Sequence, residues 1–207
     1  MILAEQKRLK EAREVVEPLR AMCLVFGDYE TLTRIGRAFK NDGDAAWERP
    51  PYGPLPDESA RQYYREAFEM SGNYFPGVNA TTLARLVGRE DEAVECAERV
   101  LAICAQRRIG DKEHEPYWVF ASEGEAMLCT SRGDRAELAA KFFDSALRCL
   151  TYDQAGMAQC TWNQLCRLWQ ALGTDLVGPS AEAFEQHPTI WNQLQPGPLG
   201  NCGRAGN

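Results

Sequence analysis

One short pattern of apolar residues occurs four times in the 207-residue chain, and it constrains the fold more than any other feature. In each copy an apolar residue is followed by others four and seven positions later, the spacing of residues on one face of an α-helix. The copies are Ala12–Val16–Leu19, Ala60–Tyr64–Ala67, Ala93–Ala97–Val100 and Ala139–Phe143–Ala146. All four begin with a small alanine, which suits close helix–helix contact. The pattern therefore predicts helices that pack against one another.

Proline positions predict where these helices end. Apart from Pro18, we expect the prolines to lie between helices, because a proline inside a helix breaks its hydrogen bonding. No stretch alternates as a β-strand does, so the sequence predicts an all-α fold. The predicted helices span about 1–6, 9–25, 28–41, 57–71, 77–87, 89–107, 116–131, 134–149, 152–172 and 180–187.

We expect the helices to form hairpins in an α-α superhelix, with 152–172 as a closing helix. Residues 1–6 are too short for a full first helix, so we expect the chain to begin inside a repeat and to expose apolar surface there. Two insertions, 42–56 and 108–116, make the spacing irregular, and the sequence leaves open whether they serve packing or function. Residues 1–194 are expected to form a single repeat domain, followed by a glycine-rich flexible tail at 195–207.

Four sequence blocks point to a known family. They are 28–40, 60–69, 73–83 and 117–126, and the most specific element is Tyr-Phe-Pro-Gly-Val-Asn-Ala within the third. In the first block, Leu32, Ile35, Gly36 and Phe39 match the large–large–small–aromatic set of a tetratricopeptide repeat (TPR), and the 33 residues from Ala60 to Ala93 are close to its roughly 34-residue period. Over about residues 1–150 the chain resembles the TRAFs-binding TPR domain of apoptosis-signal-regulating kinases and of many bacterial proteins. The resemblance implies a TPR-like scaffold that binds proteins.

Composition narrows the function classes. A net charge of −7 argues against general nucleic-acid binding. No apolar run is long enough for a signal peptide or a membrane span, so we expect a soluble, cytoplasmic protein. The eight cysteines are interpreted as reduced core residues rather than disulfides.

We expect no enzymatic activity, no metal site and no cofactor. There is no C-x-x-C pair, and the two histidines, His114 and His187, lie far apart. The sequence shows no Gly-rich phosphate loop in a strand–loop–helix context. Glu123 and Glu125 are interpreted as ordinary polar residues on a helix surface.

The best candidate site is a polar stripe on the first helix of successive hairpins, which lines the concave groove of a TPR array. Arginine binds carboxylates through paired hydrogen bonds, so this stripe suits an acidic peptide or a chain terminus. The predicted binding residues are Arg34, Arg37, Lys40, Asn41, Asn79 and Arg85. The alternatives are a solvated helix face with Arg37 paired to an acid, and a structural role for Asn79 beside the entry to its helix.

The predicted function is therefore a non-catalytic protein-interaction scaffold in a regulatory or signalling assembly. Its predicted partner is a protein or acidic peptide of unknown identity. A small-anion sensor that uses the same groove is the alternative, and self-association through the first hairpin stays open.

Overall fold

The computed structural model describes residues 9–47, 58–110 and 116–194, and ten α-helices lie within these ranges. The helices are α1 (Leu9–Phe26), α2 (Tyr29–Trp47), α3 (Glu58–Ser71), α4 (Tyr74–Leu86), α5 (Glu90–Gly110), α6 (Pro116–Leu128), α7 (Arg135–Leu147), α8 (Ala155–Leu172), α9 (Thr174–Glu185) and α10 (Pro188–Trp191). A 3₁₀ turn, Tyr152–Gln154, precedes α8. The described residues contain no strand, and the fold is an all-α, TPR-like superhelix.

The helices pair as the sequence predicts. Helices α2 and α3, α4 and α5, and α6 and α7 form successive hairpins, and α3 packs on α4 as α5 packs on α6. The three later apolar triplets lie on α3, α5 and α7, and all nine side chains are buried. The triplet on α1 is less enclosed, since Ala12 is buried, Val16 is half-buried and Leu19 is 42% exposed. The triplets therefore mark the second helix of each hairpin.

Small residues on the first helix of each hairpin set the distance to the second. A Cβ atom on Gly36 of α2 would lie 3.0 Å from the ring of Tyr64 on α3. A Cβ on Gly124 of α6 would lie 2.7 Å from the ring of Phe143 on α7. Each glycine lets an aromatic ring pack against bare helix backbone, which is why the position that Gly36 takes in the TPR pattern is a small one.

The end of the array differs from a plain repeat. Helix α9 packs on α7 and so continues the layer of second helices, whereas α8 lies against α4, α6 and α9. The Tyr117 hydroxyl on α6 lies 2.7 Å from Thr161 Oγ1 and 3.1 Å from the Met157 carbonyl oxygen, both on α8. As a result, α8 covers the inner side of the first helices over part of the array.

Several predicted boundaries are wrong, and local chemistry explains the differences. Helix α2 continues to Trp47 through the expected loop start at 42, so Gly43 is tolerated inside a helix. Helix α4 starts at Tyr74 instead of 77, because the Asn73 side chain accepts a hydrogen bond from the Phe75 N–H and caps it. Helix α9 contains Pro179, which we expected between helices.

Some predictions fall on parts of the chain outside the described residues. These are the short helix at 1–6, most of the insertion at 42–56, residues 111–115 of the second insertion, and the tail at 195–207.

Candidate functional site

The basic stripe on α2 begins with two exposed arginines. Arg34 has 80% of its side chain exposed, and its contact with Glu30, which is 67% exposed, spans 3.9 Å. Arg37 lies one turn further along and is also exposed. Within the described part of the chain, Arg37 has no hydrogen bond, ion pair or ring contact. Neither guanidinium is committed to a strong internal interaction.

Lys40 connects this stripe to the next hairpin. Its Nζ donates a hydrogen bond of 2.7 Å to Asn79 Oδ1 on α4, and the Asn79 amide nitrogen donates one of 2.9 Å to the Phe75 carbonyl. Asn79 is buried, and its bond to Phe75 spans one turn of α4. The structure thus brings the predicted site residues Lys40 and Asn79 into contact. Asn79 also has the structural role that the sequence offers as an alternative, because its side chain braces the start of α4.

Behind this pair lies a buried carboxylate. Glu125 on α6 is buried, so its interpretation as a surface residue is wrong. Burial raises the pKa of its carboxyl, and Lys40 is the first of the groups that lower it in part. The Lys40 charge therefore serves an internal partner, which leaves less of it for an incoming ligand.

Helix α8 closes the concave face over this carboxylate. The Gln164 amide nitrogen lies 3.5 Å from a Glu125 carboxylate oxygen, and Arg167 donates a hydrogen bond to the Gln164 side-chain oxygen. Both α8 residues are buried. The Thr82 hydroxyl, also buried near the carboxyl, makes no hydrogen bond of normal length. We call Lys40, Asn79, Thr82, Glu125, Gln164 and Arg167 the inner polar cluster.

The structure places the remaining predicted residues elsewhere or leaves them undescribed. Arg85 donates a 3.1 Å hydrogen bond to the Cys129 carbonyl and lies 3.1 Å from a Glu90 carboxylate oxygen, so it joins the ends of α4, α5 and α6. The side chain of Asn41 lies outside the described residues. Among the described predicted residues, Arg34 and Arg37 are the ones that stand open to solvent.

A second buried carboxylate lies on the other side of α6. Glu123 has only 1% of its side chain exposed, and one of its oxygens lies 3.0 Å from Arg108 of α5. Its other oxygen has no hydrogen-bond partner. Burial raises the pKa of Glu123 to about 7, although Arg108 lowers it in part. The signal that could have revealed both carboxylates was their position in an otherwise strongly apolar helix, PYWVFASEGEAML.

The described residues give little support for a catalytic site or a metal site. His187 Nε2 lies 2.9 Å from an Asp144 carboxylate oxygen beside an open cavity of about 550 Å³, and the residues that line it include Arg148 and Thr189. Neither member of this pair hydrogen-bonds to a serine, threonine or cysteine side chain of the described residues. No group of three His, Cys, Asp or Glu residues suited to a metal ion occurs in the described ranges.

Two further findings concern the described residues as a whole. None of the seven described cysteines forms a disulfide, and five of them are buried: Cys23, Cys96, Cys104, Cys129 and Cys166. None of the helices described here combines the length and the apolar character needed to span a bilayer.

Comparison with known proteins supports a TPR-type domain. Residues 1–84 match the family described as Tetratricopeptide Repeats-Sensor (TPR-S). A comparison with curated proteins and one with solved structures each gave no significant match. The matched region covers α1 to α3 and most of α4, and it includes Arg34, Arg37, Lys40 and Asn79. The relation to the TRAFs-binding domain stays a prediction, whereas a TPR-type domain that serves in general as a protein-interaction scaffold is supported.

Proposed function

We propose that this domain is a non-catalytic binding module of a regulatory assembly and that it captures an acidic protein segment at the α2 end of its concave face. One observation carries the proposal. Arg34 and Arg37 are exposed on consecutive turns of α2, and Arg37 has no hydrogen-bonding or ionic partner among the described residues. Most other described arginines are engaged in ion pairs or hydrogen bonds, as Arg61 and Arg99 are.

The position of α8 favours partner binding at the α2 end of the groove over binding elsewhere in the groove. Helix α8 packs on α4 and α6, where Gln164 and Arg167 complete the inner polar cluster. A partner that entered there would have to displace buried hydrogen bonds, which costs free energy. At α2, by contrast, a partner would displace only the water around the two arginines. Two guanidiniums on successive turns suit a pair of carboxylates, such as an acidic side chain and a chain terminus.

A small-anion sensor at the same arginines is the second candidate. The description of the matched family as a sensor favours it. The two candidates differ in footprint, because a peptide extends beyond the arginines whereas an anion such as pyrophosphate does not.

The test uses the full chain and charge reversal of both arginines, Arg34→Glu with Arg37→Glu. Peptides ending in acidic residues, selected from a displayed library, are measured by fluorescence anisotropy with a free carboxylate or a C-terminal amide. We expect the variant to weaken binding at least tenfold, because each arginine becomes repulsive. The matched control, Lys141→Glu with Arg148→Glu, changes the charge equally at exposed positions of the last hairpin and should bind normally.

Three outcomes separate the candidates. Loss of peptide binding in the arginine variant alone, with unchanged helical content by circular dichroism, supports the module. Equal binding by both variants contradicts it. A rise in melting temperature with pyrophosphate that the arginine variant loses, without any peptide binding, favours the sensor instead.

A further inference from the structure

Helix α1 carries a broad apolar surface that the rest of the described chain does not cover. Among the described residues, six of the seven large hydrophobic side chains that are exposed lie on this helix. Their exposed fractions are 63% for Val15, 42% for Leu19, 56% for Met22, 43% for Leu24, 78% for Val25 and 77% for Phe26. Isolated exposed apolar residues are ordinary, but a continuous set on one helix is typical of an interaction surface.

Four of these residues form a seam along the helix. Val15, Leu19, Met22 and Phe26 follow one another at intervals of four, three and four, so they lie in line on one face. We call these four residues the α1 seam. It is about 16 Å long at 1.5 Å per residue. The spacing is the one that two helices use when their side chains interlock.

The adjoining face of α1 holds the helix on the array. Ala12 and Cys23 are buried, and Arg20 pairs with Glu66 of α3. The Tyr63 hydroxyl on α3 lies 3.3 Å from a Glu17 carboxylate oxygen. Since α1 is fixed through this face, the seam beside it stays exposed as a preformed surface.

We propose that the α1 seam pairs with the α1 seam of a second copy of this chain in an antiparallel dimer. The seam suits its own copy, because an antiparallel arrangement about a two-fold axis between residues 20 and 21 places Val15 opposite the second copy's Phe26 and Leu19 opposite its Met22. The first pair sets a small side chain against a large one and the second sets two of similar size against each other, so the combined side-chain volume is similar along the seam and the two helix axes can stay aligned. Two-fold dimers of this self-complementary kind are the commonest protein oligomers.

The exposed area agrees with a weak dimer. Taking roughly 150–200 Å² as the area of a large apolar side chain, the four seam residues expose on the order of 400 Å². Two copies would then bury on the order of 800 Å² at the seam, which is below the range for stable interfaces and typical of weak, transient ones. The dimer is therefore expected to dissociate at low protein concentration.

The experiment measures the mass of the full chain by sedimentation over a wide range of concentration. We expect twice the 23.2 kDa of one chain at high concentration and a single chain on dilution. Leu19→Glu with Met22→Glu should give a single chain throughout with unchanged helical content, because two charges would enter the centre of the seam. Ala21→Glu, at an exposed position on another face of α1, is the matched control and should still dimerise.

Cross-linking tests the orientation independently of stability. The background is Cys160→Ser with Cys202→Ser, which removes the exposed thiol of the described residues and the cysteine outside them; one population carries Leu19→Cys and the other carries Met22→Cys. The antiparallel pairing predicts a disulfide-linked product that depends on mixing the two. A single chain at every concentration overturns the proposal, and so does a dimer that survives Leu19→Glu with Met22→Glu. If the protein is a single chain at every concentration, the α1 seam is covered by another part of this chain or by another protein.

Discussion

Substitution of Gly124 by alanine tests the close contact between α6 and α7. A Cβ at this position would lie 2.7 Å from Cζ of Phe143 and 2.8 Å from both Cε atoms, well inside van der Waals contact. The ring cannot easily move away, since Phe143 is fully buried and packs against Phe184 with ring centroids 6.0 Å apart. Either the ring must leave its preferred rotamer or the two helices must separate.

The expected cost follows from two opposing effects. Overpacking of a filled core costs about 1–3 kcal/mol. Replacing glycine by alanine inside a helix returns up to about 1 kcal/mol, because alanine loses less backbone entropy. We therefore expect Gly124→Ala to lower the free energy of unfolding by about 1–2 kcal/mol. For a chain of this size that corresponds to a fall in melting temperature of roughly 2–8 °C.

The assay is thermal and urea unfolding followed by circular dichroism, with Gly156→Ala as the matched control. Gly156 lies in the first turn of α8, and a Cβ added there would meet no neighbouring group within 4 Å, so alanine should be neutral or mildly stabilising. A second variant, Gly124→Ala with Phe143→Leu, should recover part of the loss by making room. If Gly124→Ala is as stable as Gly156→Ala, the argument that the glycine sets the helix distance is refuted.

Two further predictions concern buried positions. Ala97→Glu should prevent the α4–α5 hairpin from folding, because it places an unpaired charge at a fully buried site. Glu98→Gln, at the exposed neighbouring position, is the control and should leave the melting temperature unchanged. If Ala97→Glu also leaves the melting temperature unchanged, the helix register is wrong. Glu123, whose pKa is raised to about 7, binds its proton more tightly in the folded than in the unfolded chain between about pH 4.5 and 7. Stability should therefore fall as the pH rises through that window, and the melting temperature of the wild type relative to Glu123→Gln should fall with it; a difference that stays constant with pH contradicts the burial of this carboxyl.

The repeating part of the fold was predictable because its signal is local. Residues four and seven apart share a helix face whatever the rest of the chain does, and the triplets starting at Ala60, Ala93 and Ala139 are buried for that reason. The same holds for Gly36, whose lack of a side chain lets Tyr64 approach. Such features can be predicted from the helix period and the size of each side chain alone.

The inner polar cluster was not predictable in the same way, because it depends on where α8 lies. Gln164 and Arg167 are ordinary polar residues in sequence and become buried only when α8 folds onto α4 and α6. The burial of Glu125 follows from the same event. Pro179 was misplaced for a related reason, since tertiary packing of α9 on α7 outweighs the loss of one backbone hydrogen bond.

Because α8 covers part of the concave face, the segment that can bind there is short. From Arg34 to Arg37 the open stripe runs about 5 Å along α2, and one interval between packed helices adds about 8–10 Å across it. An extended segment covers such a distance with roughly three residues. A site that contacts so few residues binds each segment weakly. Two copies joined through α1 would present two such sites at once, so that a partner with repeated or paired acidic ends would be bound far more tightly than one with a single end.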